Sequence, residues 1–308
     1  MISLRQHAIS LIAVFLALAL GLFLGSGYIG DRLGALTGTE RDRLGTVQDE
    51  RDALARQVNV DNGFIEGITP QLIGGILKDQ PVVIVTTPNA AESDVEALKG
   101  LLGDAGAVFS GQLGLTDKLL KDESAATVTS IVDQSIPPGQ QLRTDYTDSG
   151  SRVGDLLGVA LLSRAGARPV AESDRVDALQ ALREGGFLEY AEGTVKAARL
   201  ALVVTGGELP ADSGTQGQLV ARLSAALANR GQGGVLAGRT GSADGGSPVA
   251  VVRADPGLSG SLSTVDDVNE QTGRVTAVLA LDAETKGRSG AYGTGAGASS
   301  ITVTEPTR

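Results

Sequence analysis

The chain has 308 residues, 36 acidic against 26 basic side chains, and a net charge of −10. It contains no Cys, no Trp, one Met and one His. That excludes a disulfide framework, a zinc finger, an iron–sulfur site and a cysteine nucleophile. The one His is His7, so no Ser-His-Asp triad or imidazole cluster can form further along the chain. The acidic balance argues against nucleic acid as a partner, because phosphate backbones need a basic face.

The N-terminal segment is the most distinctive stretch. No Asp, Glu, Lys or Arg lies between Arg5 and Asp31, and Ala8 to Leu24 is apolar except for Ser10. A bilayer-spanning helix needs roughly 20 mostly apolar residues and satisfies its own backbone hydrogen bonds. The stretch is longer than the hydrophobic region of a usual signal peptide. It predicts an uncleaved anchor over residues 1–30. Arg5 and the terminal amine place that end in the cytoplasm, with the rest of the chain beyond the inner membrane. Ala13, Ala17, Gly21 and Gly25 recur every four residues and form a small-residue face on which two such helices can associate. Gly25 to Gly30 spells G-x-G-x-x-G, but it follows a membrane helix rather than a strand, so it carries no dinucleotide reading.

Residues 31–66 are rich in charge and predict a helical stalk. Leu33, Thr37, Glu40, Leu44, Val47, Arg51, Leu54 and Val58 follow alternating four-three spacing, a weak heptad seam suited to pairing with a second copy. Gly34, Gly38 and Gly45 weaken it, each by about 1 kcal/mol relative to Ala.

Residues 67–285 predict an α/β domain. Val82 to Thr86 is a short β-branched run of the kind that forms a buried parallel strand. Ser93 is placed to cap a helix over Asp94 to Leu102, and Ala107 to Ser110 reads as a second strand. Thr116 is placed to cap a helix from Asp117, and Pro137-Pro138-Gly139 breaks the chain. Val153 to Leu162 and Asp174 to Arg183 predict helices, Phe187 to Tyr190 a short strand, and Leu200 to Val204 a buried strand. Gln218 to Ala228 predicts a helix. Gly234 to Ala237, Val249 to Val252 and Val275 to Leu281 read as the remaining strands. Short strands alternating with helices imply a Rossmann-like three-layer domain with a mostly parallel sheet. There is no long in-out alternation of the β-barrel type. Residues 286–308 form a tail whose Gly- and Ser-rich part, to Ser300, reads as a mobile loop.

In open α/β sheets, ligands bind beyond the carboxyl ends of the strands. Those ends supply Thr86, Thr87, Gly206 and Gly207 as candidate ligand or partner positions. The glycine pair reads either as an anion cradle or as a tight turn needing positive φ. Asp266 and Asp267 are adjacent carboxylates and two further candidate ligand or partner positions; they read either as a paired-carboxylate site or as acids at the positive end of a helical turn capped by Thr264. No nucleophile–base pair, resident cofactor or metal-ligand set emerges, so the residues do not describe an enzyme.

The N-terminus MISLRQHAISLIAVFLALALGLFLGSG resembles that of the mycobacterial copper transport outer membrane protein family, MctB. Similar blocks follow in order: Gly154 to Ser163, Val203 to Gly207, Leu236 to Arg239, Ser263 to Asp267 and Tyr292 to Gly295. The resemblance implies an actinobacterial envelope protein of copper efflux and resistance, described as pore-forming, with copper as the transported ion. It also implies an outer-membrane location, whereas the residues point to an inner-membrane anchor. Some relatives act with a partner in daughter-cell separation through control of peptidoglycan hydrolysis. The residues add a constraint. Cu(I) favours thiolate and thioether, and Cu(II) favours imidazole. Met1 and His7 are the only such side chains. Two readings therefore stand: a copper-efflux component, and a non-enzymatic envelope scaffold that self-associates through its stalk.

Overall fold

The computed structural model describes residues 14–18, 28–164 and 166–304, with the side chains of 28–45 excepted. The chain divides into two units, Met1–Gly63 and Phe64–Arg308. In the first, residues 14–18 are helical (α1), with Val14, Phe15, Leu16 and Leu18 exposed. Among the described residues, no helix is long and apolar enough to cross a membrane. Apart from residues 14–18 and 28–30, the predicted span lies outside the described residues, as do three of its four small-residue positions, Ala13, Gly21 and Gly25; Ala17 is helical and exposed. The long helix α2 covers Tyr28–Ile73, which includes the whole predicted stalk. On the described part of its seam, Val47, Leu54 and Val58 are exposed.

The second unit is built on a seven-stranded sheet: β1 (Pro81–Thr86), β2 (Val108–Leu115), β3 (Leu188–Glu189), β4 (Leu200–Val204), β5 (Gly233–Ala237), β6 (Ser263–Val265) and β7 (Ala291–Tyr292). Their order is β3-β2-β1-β4-β5-β6-β7. All neighbours run parallel except β2 and β3. This is the mixed α/β, mostly parallel architecture that the β-branched runs predict. Alternate strand residues face opposite layers. Val83, Val85, Ala201, Val203 and Leu236 pack with one set of helices, and Val82, Ile84, Leu200, Leu202 and Val235 with the other.

On the first face lie α4 (Asp117–Leu120), α5 (Ala125–Gln134), α6 (Ser149–Leu161), α7 (Glu172–Glu184), α8 (Gln216–Ala228) and α9 (Pro248–Ala254), with the short α10 (Pro256–Ser259) beside them. On the second lie α3 (Glu92–Asp104), α11 (Gln271–Thr285) and the end of α2 at Ile73. Thr116 caps α4 as expected, accepting from the Leu119 N–H at 3.3 Å. Ser93 does not cap α3; the helix starts at Glu92, with Ala91 at the cap position.

Two apolar runs expected to be strands are helical. Val249 to Val252 lies in α9, where Pro248 occupies a first-turn position and Val249 and Val252 point inward at helical spacing. Val275 to Leu281 lies in α11, buried on almost every side, and a run of that kind carries no periodicity to separate helix from strand. Thr264 is not a cap; it sits in β6. The stretch expected to be loop beyond 286 contains β7, paired with β6.

One feature of the packing was not anticipated. A Cβ on Gly150, Gly154 or Gly158 would meet the backbone of Leu219 at 2.6 Å, the backbone of Leu223 at 2.2 Å, or the Arg230 side chain at 2.6 Å. Three glycines at four-residue spacing on α6 thus let α8 approach to near backbone contact. The signal was present in the chain as Gly150-x-x-x-Gly154-x-x-x-Gly158.

Candidate functional site at the strand switch point

β1 leads to β2 on one side, while β4 and β5 extend on the other, so the strand order reverses between β1 and β4. Loops that leave adjacent parallel strands in opposite directions open a crevice at the carboxyl ends. Here the crevice is a cleft of about 380 Å3. Thr87, Pro88 and Asn89 line it from the β1 side, and Thr205, Leu209 and Ser213 from the β4 side. Leu120, Val220 and Pro248 supply much of its apolar wall.

Asn89 ties the two sides together. Its Oδ1 accepts from Thr87 Oγ1 at 2.6 Å, from Thr205 Oγ1 at 3.4 Å and from the Gly206 N–H at 3.2 Å. Of the predicted positions, Thr87 lines the cleft. Thr86 does not: it is buried, and its Oγ1 donates to the Leu113 carbonyl of β2 at 3.4 Å. Gly206 and Gly207 are not left-handed, so the positive-φ reading of this pair fails. What requires glycine is close approach. A Cβ on Gly206 would lie 2.6 Å from the Asn89 carbonyl oxygen, and one on Gly207 would lie 2.8 Å from the Thr240 carbonyl oxygen. The Gly206 N–H is already engaged by Asn89. Asp117 is the only charged lining residue, so the cleft favours a neutral or cationic occupant over an anion.

Behind it, on the second face, Asp94 is buried in the first turn of α3, where a carboxylate suits the helix dipole. Arg274 Nη2 donates to its Oδ1 at 3.0 Å, and Arg239 Nε lies 3.0 Å from Oδ2 as an ion pair. This cluster links α3, the β5 loop and α11.

Asp266 and Asp267 do not act as a pair. Asp266 is held by Arg253: Nη1 donates to Oδ2 at 2.6 Å, with both side chains almost fully buried. The same guanidinium donates to Thr264 Oγ1 at 3.0 Å and to the Tyr292 and Ala296 carbonyls at 2.7 and 2.9 Å. Asp266 also accepts from the Thr294 and Gly295 N–H groups at 2.9 and 3.0 Å. It is a clamp on the C-terminal segment. Asp267 faces α11, where its carbonyl accepts from the Glu270 N–H at 2.8 Å. Burial, with the nearby Asp266 and Glu270 charges, pushes its carboxyl up to about 6, and Oδ1 is buried without a hydrogen bond. Burial also pushes Glu284 up to about 7, although Ser263 Oγ donates to it at 2.7 Å.

Among the described residues, no group of His, Asp or Glu side chains is arranged to hold a metal ion. Beyond Met1 the sequence holds no thiolate or thioether ligand. The β6 end is instead a structural node, where the Ser263 to Asp267 block clamps the separate Tyr292 to Gly295 block.

The model of the family described as "Copper transport outer membrane protein, MctB" matches residues 1–303. The chain belongs to the MctB family. It is 44% identical over 314 residues to proteins named copper transporter MctB in Mycobacterium bovis and Mycobacterium tuberculosis, covering 99% of this chain and all of each relative. A protein of the same name in Mycobacterium leprae is 44% identical over 329 residues, covering 98% of this chain and 99% of that relative. The likeness to MctB proteins therefore includes the N-terminal segment, the switch-point loops and the Arg253–Asp266 clamp region alike. The family description supports a place in the cell envelope.

Proposed function

We propose that this protein serves copper efflux and tolerance in the cell envelope, anchored by a helix over residues 8–29, with its α/β domain outside the inner membrane. The observation that carries the reading is the 44% identity, end to end, to proteins named copper transporters. Copper is then cargo rather than a resident ion, because Met1 and His7 are the only soft or imidazole ligands, and both lie at the anchor end. A pore built from one helix per chain requires several chains around water, and the Ala13, Ala17, Gly21, Gly25 face suits close helix packing instead. We therefore place copper passage at an assembly rather than within the domain.

A second reading is favoured by that same absence of soft ligands. It makes the protein a non-enzymatic scaffold that pairs through the exposed Val47, Leu54 and Val58 seam and presents its domain to an envelope partner controlling peptidoglycan hydrolysis. Growth of a deletion strain on graded copper separates the two. Lost tolerance, restored by the intact gene, supports the first. Unchanged tolerance with chained, unseparated cells leaves only the second. Planar-bilayer recording on the purified full chain tests conduction directly, and absence of conductance removes the pore.

A further inference from the structure

At the amino ends of β4 and β5, the opposite ends of the strands from the switch-point crevice, lies a second cleft of about 380 Å3. Arg143, Arg164, Arg168 and Arg230 line it, and no carboxylate does. In a chain with net charge −10, that convergence of guanidinium groups is against the average.

The arginines differ in what holds them. Arg230 is fixed from behind by Asp155, which is fully buried: Nε donates to Oδ1 at 2.5 Å and Nη2 to Oδ2 at 2.8 Å. Asp155 also accepts the Arg143 N–H at 2.7 Å, so one carboxylate positions two walls of the cleft. Arg164 Nη2 donates to the Asn229 carbonyl at 3.0 Å, which uses one of its five donors. Arg143 lies over the Tyr146 ring at 4.9 Å and makes only 3.4 Å contacts with Asp145. Arg168 has no ion-pair partner among the described residues.

Arginines near helix C-termini also satisfy terminal carbonyls and the dipole. That accounts for Arg164, whose guanidinium bonds the Asn229 carbonyl at the C-cap of α8, and in part for Arg230, which follows that helix. It does not account for Arg143 or Arg168, neither of which bonds a helix carbonyl. Four guanidinium groups face two carboxylates, Asp155 and Asp145, which leaves two positive charges uncompensated. We propose that this cleft binds a phosphate-bearing small polar molecule. The guanidinium forks match the paired oxygens that a phosphomonoester dianion and a phosphodiester monoanion both present, and the positive balance accommodates either. Gln140, Ser163 and Asn229 stand ready to hydrogen-bond the attached polar body, and the volume falls within the range of small-molecule sites. Free phosphomonoesters and lipid headgroups share this chemistry.

The test is calorimetric titration of the full chain, in neutral detergent, with glycerol phosphate, glycerophosphoglycerol, inorganic phosphate and plain glycerol. The phosphates are expected to bind and glycerol not to. Arg168→Gln and Arg164→Gln should each weaken binding about tenfold or more, which is about 1.4 kcal/mol. Arg168→Lys should fall between, because it keeps charge and loses the fork. Arg183→Gln removes the same charge outside the cleft and should leave binding unchanged. Unfolding midpoints without ligand verify that the variants fold. Tighter binding of the diester identifies a lipid headgroup, and tighter binding of the monoester a soluble metabolite. The proposal is overturned if the phosphates bind no better than glycerol, or if Arg168→Gln and Arg164→Gln bind them as well as the parent chain.

Discussion

Replacing Arg253 with Met should detach the C-terminal segment and strongly destabilise the domain. Met keeps the apolar stem and removes the charge. The change deletes the bonds to Thr264 Oγ1, Asp266 Oδ2, Tyr292 O and Ala296 O. It leaves Asp266, 1% exposed, with only the Thr294 and Gly295 N–H donors. Breaking a buried ion pair from one side costs about 3–5 kcal/mol. The two remaining backbone bonds to Asp266 place the expectation near the lower bound, about 3 kcal/mol, or a fall of roughly 6–12 °C in the unfolding midpoint for a domain of this size. Hydrogen exchange should accelerate at Thr294, Gly295 and β7 before the rest of the sheet, because those N–H groups depend on an Asp266 that the guanidinium no longer orients. Asp266→Asn should cost a comparable amount by stranding Arg253. The double variant Arg253→Met with Asp266→Leu removes both charges and should be clearly less damaging than the sum of the two single changes. Thermal unfolding and exchange mass spectrometry on the full chain measure all three. A loss below about 1 kcal/mol with unchanged protection at 293–300, or a double variant equal to the sum, would refute the clamp, since surface pairs rarely exceed that figure.

The remaining expectations concern packing and pH. Gly154→Ala drives a methyl to 2.2 Å from the Leu223 carbonyl oxygen and should cost about 2 kcal/mol or more, read as a lowered urea midpoint; a neutral result would mean that α6 and α8 separate freely. Glu284 has a folded carboxyl near 7 against its ordinary 4.5, so the unfolded chain ionises first as pH rises. Stability should therefore fall between about pH 4.5 and 7 and level off above, since the unfolded state binds fewer protons across that window. Glu284→Gln mimics the protonated form and should flatten that slope in unfolding curves taken from pH 4 to 8; an unchanged slope would assign it elsewhere. Asn89→Ala should loosen both sides of the switch-point cleft, raising hydrogen exchange at Gly206 while leaving β5 protected, and equal protection at Gly206 would remove Asn89 as the bridge.

Much of the sheet was legible along the chain. β4 matches its predicted bounds, and β1 and β5 begin one residue early, but that β1 and β4 lie side by side and open the crevice at Thr87 and Thr205 was decided by the sheet order. These strands are β-branched or apolar on both faces, and that composition fits few environments other than the middle of a parallel sheet. The Val249 and Val275 runs were not legible, since a fully buried helix and a buried strand present the same unbroken apolar stretch. β6 and β7 were missed because Ser263-Thr264-Val265 and Ala291-Tyr292 are too short and too polar to announce themselves; they are strands because β5 offers an edge and Arg253 holds the segment against it.

The sequence by itself settles what this protein lacks and where its apolar mass lies. With no Cys, and no Met or His after His7, residues 67–285 supply no thiolate, thioether or imidazole ligand of their own for copper. Only the tertiary structure assigns the charges. Asp266 reads like a site acid and proves to be a clamp. Arg143, Arg164, Arg168 and Arg230, scattered over almost ninety residues of an acidic chain and individually ordinary, come to line one cleft. Periodicity reports which face of an element is apolar, whereas the meeting of polar groups from distant segments depends on how those elements cross, and that is set by packing.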